Sequence, residues 1–184
     1  MTNIFLIHGS FGHPDENWFS WLKEELEKLD CQVFVPQFPV SSEQSLGSWL
    51  ETFKTYKKHL SKDTIFVGHS LGPAFILSIL EKIDQPVQAA FFVSGFLGKI
   101  NNPLYDRANE SFMKKFDWQK IKQNCGKFYM FHSDNDPYVK LKKAEELAKY
   151  LGIEIILIKG GGHLNEKAGY LKFDLLLENI KKEL

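Results

Sequence analysis

The sequence predicts a doubly wound α/β fold: a six-stranded, mostly parallel sheet with helices on both faces, in a single domain spanning residues 1–184. Three observations carry that expectation. Short apolar runs recur along the chain, and several are apolar at consecutive rather than alternating positions, as strands covered on both faces must be. Segments of helical periodicity fill the intervals, the alternation that right-handed crossovers between parallel neighbours require. A chain of 184 residues also suits one core better than two, and no repeat or linker divides it.

The first run is Ile4 to Ile7. Behind Pro14-Asp15-Glu16, Trp18, Leu22, Leu26 and Leu29 fall at helical spacing, with the acidic residues placed where a helix dipole favours them. Val33 to Val35 is the second strand; a helix after Val40 follows it, carrying Trp49, Phe53, Tyr56 and Leu60 on one stripe. Ile65 to Val67 is the third strand, and the helix after Ser70 is apolar throughout, with Pro73 in the first turn where it costs no hydrogen bond. Ala89 to Val93, Phe128 to Phe131 and Ile153 to Ile158 complete the strands. Lys142 to Leu151 forms a helix closed by Gly152, and Leu171 to Leu184 forms the last. The interval from Gly98 to Gly126 is irregular, polar at first and then aromatic, and is the candidate for a small lid.

Composition narrows the function. Hydrophobic residues make up 43% and aromatic residues 14%, with 16 Phe, which indicates a well-filled core rather than disorder. With 23 basic and 23 acidic residues the formal charge is zero, so nothing favours electrostatic capture of nucleic acid or of an anionic membrane. Cys31 and Cys125 make no disulfide framework and have no neighbour at metal-site spacing. With neither a secretory leader pattern nor an apolar run of bilayer length, a cytoplasmic location is expected.

The chemistry centres on Thr64-Ile65-Phe66-Val67-Gly68-His69-Ser70-Leu71-Gly72, where an apolar strand ends at a serine between two glycines. In a parallel sheet, ligands bind beyond the carboxyl ends of the strands. Gly-x-Ser-x-Gly between strand and helix is the nucleophile elbow, a strained turn with room for only minimal neighbours. The backbone N–H of Leu71 is then aimed where an oxyanion would form. A serine hydroxyl needs a base and an orienting acid. His163, after a strand in the loop Lys159-Gly160-Gly161-Gly162-His163, which its glycines should make unusually flexible, is the expected base. For the acid, the segment that follows Phe128 to Phe131 offers two carboxylates, Asp134 and Asp136. His8, His13 and His69 form no metal-binding pattern, and His8 is expected to pack or hydrogen-bond beneath the loop after the first strand. Ser94 lacks the leading glycine of an elbow and is read as structural or pocket-lining. Phe11, Phe96 and Leu97 are candidate pocket residues.

Taken together, His8-Gly9, Asn17-Trp18-Phe19-x-Trp21-Leu22, Gly68-His69-Ser70-Leu71-Gly72, Val93-Ser94-Gly95-Phe96, Ser133-x-x-Asp136 and Gly161-Gly162-His163 resemble the α/β-hydrolases. Within them the likeness is to the small serine hydrolases of the retinoblastoma-binding protein 9 family and the YdeN-type bacterial hydrolases, and it runs over nearly the whole chain. The resemblance implies a minimal α/β-hydrolase fold with little or no cap domain and the order Ser70, Asp136, His163 for the catalytic residues; Asp136 is preferred as the acid because Asp136-Pro137-Tyr138-Val139 resembles the segment at the catalytic acid of those enzymes, with Asp134 as the reserve. It also implies that the N–H of Ser10 is the second oxyanion donor, beside Leu71. The expected activity is ester hydrolysis on a small ester or acyl substrate through an acyl-enzyme, with no metal or organic cofactor. The rivals are a noncatalytic interaction module on the same scaffold, or a cofactor-free perhydrolase or lyase. The nearest match to a retinoblastoma-binding Leu-x-Cys-x-Glu is Leu29-Asp30-Cys31-Gln32-Val33, which lacks the glutamate.

Overall fold

The computed structural model describes residues 1–184. Six strands, β1 (Asn3–Ile7), β2 (Gln32–Phe34), β3 (Ile65–His69), β4 (Val87–Val93), β5 (Cys125–Ser133) and β6 (Ile155–Ile158), form one sheet in the order β2-β1-β3-β4-β5-β6. Every neighbouring pair is parallel, so the mostly parallel sheet expected from the sequence is wholly parallel.

Two-sided burial explains the unbroken apolar runs. Phe5, Ile7, Phe66, Ala90 and Phe92 face one cluster of 27 buried residues, while Ile4, Leu6, Val67, Phe91 and Val93 face another of 19. Seven helices cover the sheet: α1 (Phe19–Glu27), α2 (Leu46–Lys54), α3 (Gly72–Leu80), α4 (Pro103–Ala108), α5 (Trp118–Gln123), α6 (Leu141–Leu151) and α7 (Asp174–Lys181). The smaller cluster is closed by α1 and α7, through Phe19, Leu22, Leu26, Leu176, Leu177 and Ile180. The larger one is closed from α2, α3, α5 and α6, and all nine residues of α3 are buried.

Three helices differ from expectation. Trp18 precedes α1 rather than lying within it, no acidic residue occupies the first turn, and Leu29 falls past its end, 42% exposed. Glu16, expected to favour the helix dipole, belongs instead to the loop after β1. On the second stripe only Trp49 and Phe53 lie in α2; Tyr56 and Leu60 pack on the core from beyond it, flanking the 3-10 turn Lys57–His59. The last helix is confined to Asp174–Lys181 because Leu171 and Lys172 are exposed and the buried stripe begins at Phe173.

The interval 98–126 folds as α4, a 3-10 turn (Glu110–Phe112), α5 and the start of β5. Asn102 caps α4 by accepting the N–H groups of Leu104 and Tyr105, and Asp117 caps α5 by accepting that of Lys120. Phe112 and Ile121 sink into the larger core cluster, and Glu81 at the end of α3 pairs with Lys114 and accepts from the Asp117 N–H. The segment therefore lies down on the sheet's larger core face.

β1 is flanked by β2 on one side and β3 on the other, so the chain reverses its direction of progress across the sheet between β2 and β3. In an open parallel sheet that reversal opens a crevice at the strands' carboxyl ends. The loops after β1 and β3 carry Ser10 and Ser70 to that crevice.

Candidate active site

Ser70 follows β3 and precedes α3 with φ 57°, a left-handed backbone that a β-carbon disfavours. The turn is held on one side by the Ser70 N–H, which donates to the Val93 carbonyl at 2.9 Å. It is made possible by close approaches on the other. A β-carbon on Gly68 would lie 2.8 Å from the Gly72 carbonyl carbon and the Pro73 nitrogen, and one on Gly72 would lie 2.5 Å from the Ile7 carbonyl oxygen. Both glycines of the elbow are thus fixed by backbone packed against backbone.

Asp136 and His163 come together from the loops after β5 and β6. His163 Nδ1 lies 2.7 Å from Asp136 Oδ2, and both residues are buried. Burial works against the Asp136 carboxylate, but the His163 hydrogen bond and charge, with the Val139 and Tyr138 N–H groups, outweigh it and hold its pKa below the ordinary value. Those two N–H groups donate to Oδ1 at 2.9 and 2.8 Å. An ionised carboxylate only accepts, so the proton between them sits on His163 Nδ1, and in the neutral ring Nε2 is the acceptor. His163 is fixed through its carbonyl as well, which accepts from His69 Nε2 at 3.0 Å and from Ser94 Oγ at 3.1 Å. Ser94 is therefore structural, a fully buried residue with φ 52°. No hydrogen bond joins Ser70 Oγ to His163, although both line one cleft; in sites of this kind such contacts tighten when substrate is bound.

The glycine-rich loop that carries His163 is braced, against the flexibility expected from its composition. Asp134 Oδ1 accepts the Gly160 N–H and Asn135 Oδ1 accepts the Gly162 N–H, each at 2.8 Å. Asp134 thus holds the turn and leaves Asp136 to the histidine. Behind Asp136 lies His132, fully buried, its Nε2 2.9 Å from the Val139 carbonyl and its Nδ1 without a partner; burial lowers its pKa.

The N–H groups of Ser10 and Leu71 donate to no protein acceptor, whereas the intervening Phe11 N–H is taken by Gln44 Oε1 at 2.9 Å. His8 sits beneath this loop, its Nδ1 2.8 Å from the Gly9 carbonyl and its Nε2 accepting the Phe38 N–H at 3.1 Å. Burial lowers its pKa to about 4, and that of His69 to about 3, so both rings are neutral struts. No group of three or more His, Cys, Asp or Glu side chains is placed to hold a metal ion. Cys31 and Cys125 are buried and unpaired, and no helix is long and apolar enough to cross a membrane.

Ser70 and His163 open onto a cleft of about 250 Å³ whose walls are largely polar, with Ser10, His13, Glu16, Asn17, Asn165 and Lys167 among them. Glu16 was not singled out from sequence as a site residue; burial raises its pKa, opposed by the backbone of Gly9 and His13. The signal available for it was position alone, a carboxyl in the loop that follows β1. Of the candidate pocket residues, Phe96 lines the cleft and Leu97 lines an adjoining apolar pocket of about 120 Å³. Phe11 lines neither; its ring packs edge-on against Tyr105, which does line the cleft.

A family model described as Serine hydrolase matches residues 4–182. YdeN of Bacillus subtilis strain 168 is 28% identical over 98% of this chain and 97% of its own length. Serine hydrolase RBBP9 of Rattus norvegicus is 28% identical over 100% of this chain and 96% of its own. The crystal structure of the B. subtilis ydeN gene product superposes with a TM-score of 0.91 at 26% identity, covering 100% of this chain and 98% of that one.

Proposed function

The chain belongs to the serine hydrolase family, and from that premise we propose that it cleaves a small carboxylic ester through Ser70, His163 and Asp136. Its sheet and helices are the minimal α/β-hydrolase fold. The observation that carries the reading is the 2.7 Å contact between His163 Nδ1 and a buried Asp136 carboxylate, made in the cleft that holds a serine at φ 57°. The contact leaves His163 Nε2 as the acceptor for a proton.

On this reading Ser70 Oγ attacks the ester carbonyl carbon while His163 Nε2 takes the hydroxyl proton. Asp136 keeps the imidazole in the needed tautomer and stabilises its cation. The oxyanion receives the N–H groups of Leu71 and Ser10, which are unspent in the protein. The C–O bond to the leaving group breaks, His163 returns the proton to the departing alkoxide, and the acyl group remains on Ser70. Water, deprotonated by His163, then releases the acid and restores the serine. Esters are preferred to amides because an alkoxide leaves more readily than an amine. The N–H donors, the base and the nucleophile are all supplied by the chain, so the reading calls on no metal or organic cofactor.

The test is labelling with a fluorophosphonate, wild type beside Ser70→Ala and His163→Ala, with the modified peptide mapped by mass spectrometry. Labelling of Ser70 in the wild type and in neither variant is expected, and turnover of a reactive ester should fall on the order of a million-fold in each variant. A folded wild type that stays unlabelled, or labels elsewhere, overturns the reading and favours a noncatalytic module on the same scaffold.

A further inference from the structure

Beside the polar cleft, and sharing Phe96 with it, lies the pocket of about 120 Å³, room for about four water-sized groups. Leu71, Ala74, Phe96, Phe112 and Phe116 make it apolar. One polar side chain free of any charge interrupts that lining: Asn109, fully buried, whose Nδ2 has no hydrogen-bond partner.

A chain of hydrogen bonds dictates which way this amide faces. The Phe11 N–H can only donate, so Gln44 turns Oε1 toward it at 2.9 Å. Gln44 Nε2 must then face Asn109, and it donates to Oδ1 at 2.7 Å, with the Ala108 carbonyl as a second acceptor at 3.4 Å. Ser10 Oγ donates to the same Oδ1 at 2.8 Å. Turning Asn109 over would set its NH₂ against that of Gln44. Both hydrogens of Nδ2 are thereby left over on an atom with almost no accessible surface, where an unmade hydrogen bond is costly and which an acceptor in the pocket reaches only as the wall yields.

We propose that this pocket receives the acyl group of the substrate, and that Asn109 Nδ2 donates to a neutral oxygen acceptor carried near the far end of that group. The substrate class is thus an ester of a short acid bearing a ketone, ether or similar oxygen. The inference rests on the reading of Ser70 as nucleophile. The acyl side is assigned because Leu71, whose N–H would hold the oxyanion, is itself part of the pocket wall, whereas the polar cleft suits a leaving group that departs into water. A neutral acceptor is assigned because Lys114, the one cation lining the pocket, is already paired with Glu81. Asn109 is here a specificity-determining residue, and through Ser10 and Gln44 its occupant also steadies the loop that presents the second oxyanion donor.

The test uses p-nitrophenyl esters in pairs of matched shape, 4-oxopentanoyl against 4-methylpentanoyl and 5-oxohexanoyl against 5-methylhexanoyl. In at least one pair the oxo ester should have the larger kcat/KM, by about tenfold. Asn109→Leu, which keeps the branched shape and removes the donor together with the acceptor of Ser10 and Gln44, should bring that ratio to one or below; a ratio taken within one preparation is independent of the amount of active protein. Leu97→Trp narrows the same pocket and should lower both members of each pair about tenfold against the acetyl ester, a readout that survives if Asn109→Leu does not fold. Equal rates within both pairs, or an oxo preference that persists in Asn109→Leu, overturns the proposal while leaving the hydrolase reading intact. If Ser70 is inert to fluorophosphonate and no ester is turned over, the hydrolase reading falls, and the pocket is read by binding. Methyl 4-oxopentanoate should then shift the Asn109 side-chain amide resonances of ¹⁵N-labelled protein and methyl 4-methylpentanoate should not; no difference between the two overturns the proposal.

Discussion

Single buried imidazoles set the acid limit of this protein. In the unfolded chain His8 takes up a proton near its ordinary 6.5, but in the folded chain only near 4, because burial penalises the cation. Between those values the unfolded state binds more protons, so the stability contributed by the neutral ring is fully present above pH 6.5 and is lost as pH falls toward 4. His69 acts in the same direction, its folded value near 3. Each is expected to remove about 2 kcal/mol between pH 7 and pH 5, read as a drop in urea midpoint. His8→Gln, which can still donate to the Gly9 carbonyl and accept from Phe38, should abolish its share of that drop; an unchanged pH dependence would refute the assignment. At this scale the sequence was partly legible. Ser70, Asp136 and His163, which the structure brings together, could be singled out because each is a polar residue after an apolar run, in an order that a known chemistry uses. Glu16 and Asn109 could not, since one reads as a helix-leading acid and the other as one polar residue among several in an irregular stretch.

The elements bring strand ends into register, and close backbone contacts fix how far each may move. Gly72 begins α3 directly against the Ile7 carbonyl of β1. Gly72→Ala must push the helix from the strand, because the obstructing atom belongs to a sheet backbone that cannot rotate away. A loss of about 2 kcal/mol or more in stability is expected, together with slower fluorophosphonate labelling of Ser70; a variant that melts and labels like the wild type would show that the contact is loose. Strands were legible as consecutive apolar runs because both faces of the sheet are covered. Helix limits were less so. Tyr56, Leu60 and Leu171 continue helical periodicities past the point where the backbone leaves the helix, since periodicity records which side is apolar and not where the hydrogen bonds stop. The glycine-rich loop before His163 misleads in the opposite direction: its composition promises mobility, and carboxyl and amide oxygens from the β5 loop remove it.

At the scale of the molecule, the two core clusters share one sheet and are separated by nothing but its thickness. We propose that they melt together as one domain. Trp18 and Trp21 report on one cluster and Trp49 and Trp118 on the other, so the double variants Trp18→Phe/Trp21→Phe and Trp49→Phe/Trp118→Phe, monitored by fluorescence and far-ultraviolet circular dichroism, should give coincident transitions. Separate transitions would divide the chain into independent units. The order of strands has a further consequence. Apart from β2, position in the sheet follows position in the chain, and the exposed residues Asn101 and Asn102 lie between β4 and β5. A cut there leaves Ser70 on one piece and His163 with Asp136 on the other, and the pieces adjoin along a single seam of paired strands. Reactivity at Ser70 would then announce that two separate polypeptides have found each other: the arrangement that makes a hydrolase also makes a coincidence detector.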